Sequence, residues 1–62
     1  MKLSIGKYYF TKENRKVKIT EFDKTQLAPY KGEYEDGGSD RWYEDGLTGY
    51  RNGTWRDIVR EA

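Results

Sequence analysis

Residues 6–20, GKYYFTKENRKVKIT, constrain this chain most: two alternating runs flank the polar pair Glu13-Asn14. Alternation of apolar and polar residues over about four to eight positions is the pattern of a half-buried strand. Asn accepts a positive φ more readily than almost any residue but Gly, so Glu13-Asn14 predicts a two-residue type I′ hairpin turn. Closing the ladder there pairs Lys12 with Arg15, Phe10 with Val17 and Tyr8 with Ile19. Tyr8, Phe10, Val17 and Ile19 then share one face, while Lys7, Tyr9, Thr11, Lys16, Lys18 and Thr20 share the other. A slip by one residue would scatter the large apolar side chains over both faces, so the pattern favours this register.

The remaining chain reads as strands added to that ribbon. Leu3 and Ile5 alternate like a strand facing the core, and the parity switch between Ile5 and Tyr8 falls at Gly6, which predicts a bulge or bend. The second strand, 15–21, runs until Phe22 breaks the alternation. Residues 23–29, DKTQLAP, form a connection in which Leu27 is expected to tuck beneath the loop. In 30–35, YKGEYE, one face carries Tyr30, Gly32 and Tyr34. DGGSD at 36–40 is a turn cluster leading into Arg41, Trp42 and Tyr43, and Asp45-Gly46 and Asn52-Gly53 are two further hairpin signals. The tail reads two ways: Thr54 with Asp57 as a capping box and Trp55, Ile58 and Val59 at helical spacing, or a last short strand pairing with the first.

This rhythm of turns predicts an all-β fold, a small antiparallel meander or partly closed SH3-like barrel of four to six short strands, ending in a short strand or a single helical turn. Residues 1–62 make a single small β-domain without internal repeat or low-complexity tract. The expected core is Leu3, Ile5, Tyr8, Phe10, Val17, Ile19, Phe22, Leu27, Tyr34, Trp42, Leu47, Tyr50, Trp55, Ile58 and Val59. A chain of this length buries only about 60% of its unfolded surface. That leaves no room for a cofactor cavity, so no cofactor is expected, and a marginal monomer or a homodimer is.

Composition excludes several classes of function. With no His and no Cys, general acid–base work, thiolate nucleophiles and thiolate metal sites lose their usual groups, and Ser4 and Ser39 have no base at suggestive spacing. The expectation is a protein that is not an enzyme. The acidic residues Glu33, Glu35, Asp36, Asp40, Glu44 and Asp45 do not match calcium-loop spacing, so no metal is expected. MKLSIGKYYF lacks the apolar core of a secretory signal, and no run approaches a membrane span, so the expected location is the cytoplasm and no membrane partner is anticipated. The net charge of +1 hides an asymmetry: residues 1–31 hold eight Lys or Arg against three Asp or Glu, and residues 32–62 hold four against eight.

Two surfaces follow. Aromatic residues make up 16% of the chain, and Tyr9 and Tyr43 fall opposite in parity to neighbouring core candidates. With Arg41 they form an expected protein-binding patch, because interfaces favour exposed Tyr beside Arg. Alternatively, Lys7, Tyr9, Lys16 and Lys18 form a basic strip with an aromatic in its middle, suited to nucleic acid.

Gly6-Lys7-Tyr8, the Thr11-Lys12-turn-Arg15-Lys16 hairpin, Trp42 followed by Asp45-Gly46, and the terminal Asp57-Ile58-Val59 occur in an order that resembles a set of short bacteriophage and prophage accessory proteins. The chain departs at Glu13-Asn14, where Asp-Gly is usual. The resemblance spans most of the chain, carries no catalytic residues, and implies a protein that binds and inhibits a host protein, a defence or regulatory factor, inside the host cell.

Overall fold

The structure is a computed structural model that describes residues 2–47 and 56–62. Among these, five strands form one antiparallel sheet: β1 (Tyr8–Thr11), β2 (Lys16–Phe22), β3 (Tyr30–Tyr34), β4 (Ser39–Trp42) and β5 (Ile58–Glu61), in the order β4-β3-β2-β1-β5. The all-β meander is as expected, and the tail is a strand laid antiparallel on β1. The Trp42 indole N–H donates to the Arg56 carbonyl (2.8 Å) and the Ile58 amide to the Gly46 carbonyl (2.9 Å). These bonds curl the sheet so that the start of β5 meets the end of β4, without closing a barrel. Tyr50, Asn52-Gly53, Thr54 and Trp55 lie outside the described residues.

The first hairpin exists in a different register. Tyr8 pairs with Lys18, Tyr9 with Val17 and Phe10 with Lys16. Its loop has three residues rather than two: the Asn14 amide donates to the Thr11 carbonyl (2.9 Å) and the Thr11 amide to the Arg15 carbonyl (3.0 Å). The reason lies in the turn. A type I′ turn needs positive φ at both central residues, which for Glu13 costs about 1–2 kcal/mol. The three-residue loop needs it only at Asn14, where φ is 64°. Adding one residue to the loop flips β1. Tyr9 and Thr11 now face inward, Tyr8 and Phe10 outward, and Val17 and Ile19 stay buried as expected.

The same loop recurs twice more. Gly37 and Gly46 hold the left-handed position in Tyr34-Glu35-Asp36-Gly37 and Tyr43-Glu44-Asp45-Gly46, with the same pair of backbone bonds closing each loop. The tetrapeptide YEDG therefore appears twice, a repeat on the scale of one turn.

The core is Leu3, Tyr9, Val17, Ile19, Tyr30, Tyr34, Trp42 and Ile58. Gly32 is what lets Trp42 in: a Cβ there would lie 2.8 Å from both the Trp42 ring and the Val17 side chain. The Tyr34 and Trp42 rings pack edge to face with their centroids 6.0 Å apart. Beneath them the Tyr34 hydroxyl donates to buried Asp40 (2.5 Å), which Arg56 approaches at 3.5 Å. Burial and the Asp40 carboxylate both push the Tyr34 phenol well above its ordinary pKa.

Several expected core residues are exposed instead: Ile5, Phe22, Leu27, Leu47 and Val59, together with Tyr8. Ile5 lies in a turn closed from the Lys7 amide to the Ser4 carbonyl, with Gly6 at φ 89°, so the bend is present but residues 2–5 are not a strand. Pairing skips Val59 beside β1 and Thr20 beside β3. Such bulges shift side-chain parity, which leaves Val59 in solvent and breaks the alternation before Phe22.

Candidate binding surfaces

The three residues expected to form a protein-binding patch do not meet. Tyr9 is 1% exposed, and its hydroxyl accepts the Ser4 amide at 2.9 Å. Its outward placement is overturned by the three-residue loop. Arg41 sits on the outer face of β4 opposite Lys31, and its Nε donates to the Ala28 carbonyl (3.0 Å), which braces the 23–29 loop. Only Tyr43 presents its ring at the surface, 39% exposed.

Around Tyr43 the surface has a shallow, open hollow. A cleft of about 680 Å³ is lined by Lys2, Leu27, Pro29, Tyr43, Glu44 and Asp45. Both walls are held by hydrogen bonds. In the 23–29 loop the Asp23 amide donates to the Pro29 carbonyl (2.8 Å), and the Asp23 carboxylate accepts the Thr25 amide (3.0 Å) and hydroxyl (2.6 Å). Those two bonds hold the Asp23 carboxyl below the usual carboxylate range. In the facing turn the Tyr43 amide donates to the Leu47 carbonyl (2.8 Å), and the Asp45 carboxylate accepts the Leu47 amide (3.1 Å). Leu27 is nevertheless 87% exposed. The expectation that it packs under its loop fails because the ends of that loop are closed by backbone bonds, which leaves its tip outside the core. Lys2 and Glu44 face each other at 3.8 Å, leaving Asp45 as surplus negative charge on the rim.

Of the expected basic strip, Lys16 and Lys18 stand together on the outer face, whereas Tyr9 is buried. On the outer face of β1 and β2, the Lys16 and Lys18 ammonium groups lie 5.0 and 5.8 Å from the centre of the Tyr8 ring, and the Arg60 guanidinium lies 4.3 Å from that of Phe10. Tyr8 and Phe10 thus occupy the place expected of Tyr9. Lys7 pairs with Glu61 (3.4 Å) and Lys16 with Glu35 (3.9 Å), while Lys18 lies opposite Glu33.

The acidic residues divide among local tasks. Asp36 bridges to Arg15 (2.7 Å), whose guanidinium also stacks 3.7 Å from the centre of the Tyr34 ring. That bridge draws the Asp36 carboxyl below its ordinary pKa and raises that of Arg15. Among the described residues no group of His, Cys, Asp or Glu is arranged to hold a metal ion, and no helix is long and apolar enough to cross a membrane.

Comparison with known proteins finds no family model, curated protein or solved structure that matches this chain.

The cleft was missed because Leu27 reads as core by composition alone. The signal available was its setting: a single Leu between Asp23-x-Thr25 and Pro29, residues that close a loop on itself and leave its tip in water.

Proposed function

We propose that this chain is a non-enzymatic binding module, an accessory protein that docks on a bacterial host protein and inhibits it, with the Leu27–Pro29–Tyr43 cleft as the contact site. One observation carries the reading: Leu27 is 87% exposed on a loop closed by its own hydrogen bonds. A large apolar side chain held in solvent next to Pro29 and a half-exposed Tyr ring is the arrangement that interaction sites use. The partner supplies an apolar side chain to fill the cleft and a Lys or Arg to meet Asp45. Tyr43 keeps its expected role, whereas Tyr9 and Arg41 act by shaping the fold. The resemblance to phage accessory proteins, which implies a host-cell setting in the cytoplasm and a defence or regulatory target, agrees with this reading. So does the absence of His and Cys from the sequence.

The test is affinity capture from bacterial lysate with wild type, Leu27→Asp, Tyr43→Ala and Tyr8→Ala proteins. A retained species lost with Leu27→Asp and Tyr43→Ala but kept with Tyr8→Ala is the expected result. An identical set of retained proteins for wild type and Leu27→Asp would sink the assignment.

A further inference from the structure

We infer that the outer face of β5, β1 and β2 is a second, independent binding site, for single-stranded nucleic acid stacked on Tyr8 and Phe10 and held by Lys16, Lys18 and Arg60. The site comes from the register of the first hairpin. Because β1 is flipped, Tyr8 and Phe10 both project from the outer face, two residues apart on one strand. Strand geometry sets such rings about 7 Å apart, close to the reach of one nucleotide step in an extended strand. Tyr8 is 37% exposed, and Phe10 is partly exposed beside it.

The cations come from both neighbouring strands. Lys16 and Lys18 stand over Tyr8 from β2, and Arg60 stands over Phe10 from β5. Rings flanked on two sides by cations are what a sequence-tolerant single-strand site requires: bases stack on the rings while phosphates track the charges. Arg60 and the lysines can swing from ring face to phosphate, because their present contacts are exposed and weak. Arg60 donates a long hydrogen bond to Asn14 Oδ1 (3.3 Å) and Lys16 reaches Glu35 at 3.9 Å, and a surface ion pair such as the latter holds its partners loosely. No carboxylate among the described residues comes within ion-pair distance of Lys18.

Glu33 on β3 and Glu35 in the turn after it bound the strip on its far side and confine a bound strand to β5, β1 and β2. A double helix would carry its bases stacked out of reach of the rings. An acidic peptide would use the cations but gain nothing from two rings at nucleotide spacing.

The experiment is fluorescence anisotropy of labelled oligothymidylate and oligouridylate twelve-mers with the full chain, across a salt series. Duplex of equal length and polyglutamate serve as competitors. Three or four phosphate contacts predict a log–log salt slope of about −2 to −3. Tyr8→Ala is expected to weaken binding about tenfold without changing that slope. Lys18→Ala should make the slope shallower by about 0.7, and Tyr8→Phe should bind within about twofold of wild type, since stacking needs only the ring. Tyr43→Ala, in the cleft, should leave both numbers unchanged. Thermal melts confirm that each variant is folded. Absence of binding at low salt, equal affinity for duplex or polyglutamate, or a folded Tyr8→Ala protein that binds like wild type would each overturn the proposal.

Discussion

The two faces of the sheet are built from alternate residues of the same strands, yet they are held by different physics. On the inner face Val17, Gly32, Tyr34 and Trp42 interlock with no spare volume, and the buried polar groups Tyr34 and Asp40 satisfy each other. On the outer face Lys16 and Lys31 meet Glu35 and Glu21 at 3.9 and 4.0 Å, and cations hover over Tyr8 and Phe10. Close packing is intolerant of added atoms, whereas exposed ion pairs contribute little and exchange readily. The inner face therefore carries stability and the outer face is free to carry recognition.

The sharpest way to break that contrast is one methyl group on each side. Gly32→Ala drives a Cβ to 2.8 Å from Trp42 and Val17 and 3.0 Å from the Lys18 carbonyl. Neither ring nor backbone can yield without disturbing the core, so the expected loss is about 2–3 kcal/mol in denaturant unfolding. Lys18→Ala, next door on the outer face, is expected to stay within about 0.5 kcal/mol of wild type. Equal losses from the two changes would mean that the faces are not mechanically distinct.

Which face a residue joins was legible for β2 and β3 and misleading for β1. Val17 and Ile19 alternate cleanly, and Tyr30, Gly32 and Tyr34 do the same. In β1 the run Tyr8, Tyr9, Phe10 is large at every position, so hydrophobicity cannot choose a parity. Only the turn can, and it depends on whether Glu13 and Asn14 both take the left-handed conformation or Asn14 alone does. YEDG at 34–37 and 43–46, with Gly as the fourth residue each time, is the clue within the chain, because Thr11-Lys12-Glu13-Asn14 follows the same plan with Asn in place of Gly. The binding surfaces inherit this dependence. Tyr9 reads as exposed under one turn and is buried under the other, while Tyr8 and Phe10 do the reverse. Exposure of Val59 is hidden for another reason: its bulge depends on pairing with β1, a strand distant in sequence.

Asn14 therefore sets which aromatics of β1 face which way, and replacing it probes that control at intermediate cost. Asn14→Ala keeps the length of the loop but places an L-residue with an unaided Cβ at φ 64°, for an expected loss of about 1 kcal/mol. Asn14→Gly removes the steric penalty and is expected to match or slightly exceed wild type in melting temperature. In both variants amide NMR should retain the Tyr9–Val17 pairing. A switch to Phe10–Val17 pairing would show that the turn does not control the faces.

The smallest effect lies on the rim, where the two faces meet. Arg15 at the foot of the first hairpin loop joins Asp36 in the second at 2.7 Å, and both carboxylate and guanidinium are partly exposed. The Asp36 pKa is lowered in the folded chain, chiefly by its hydrogen bond to Arg15. A carboxyl with a depressed folded pKa adds stability above its unfolded pKa of about 3.9, and that stability fades as pH falls through this value toward the folded one. Melting temperature followed from pH 6 to pH 2 should thus fall more in wild type than in Arg15→Gln, where Asp36 titrates in the ordinary carboxylate range. The difference is expected to shrink in high salt, because an exposed pair is screened. A difference between the two proteins that stays constant from pH 6 to pH 2 would instead point to the Arg15 stack on the Tyr34 ring, a contact whose groups do not titrate in that range.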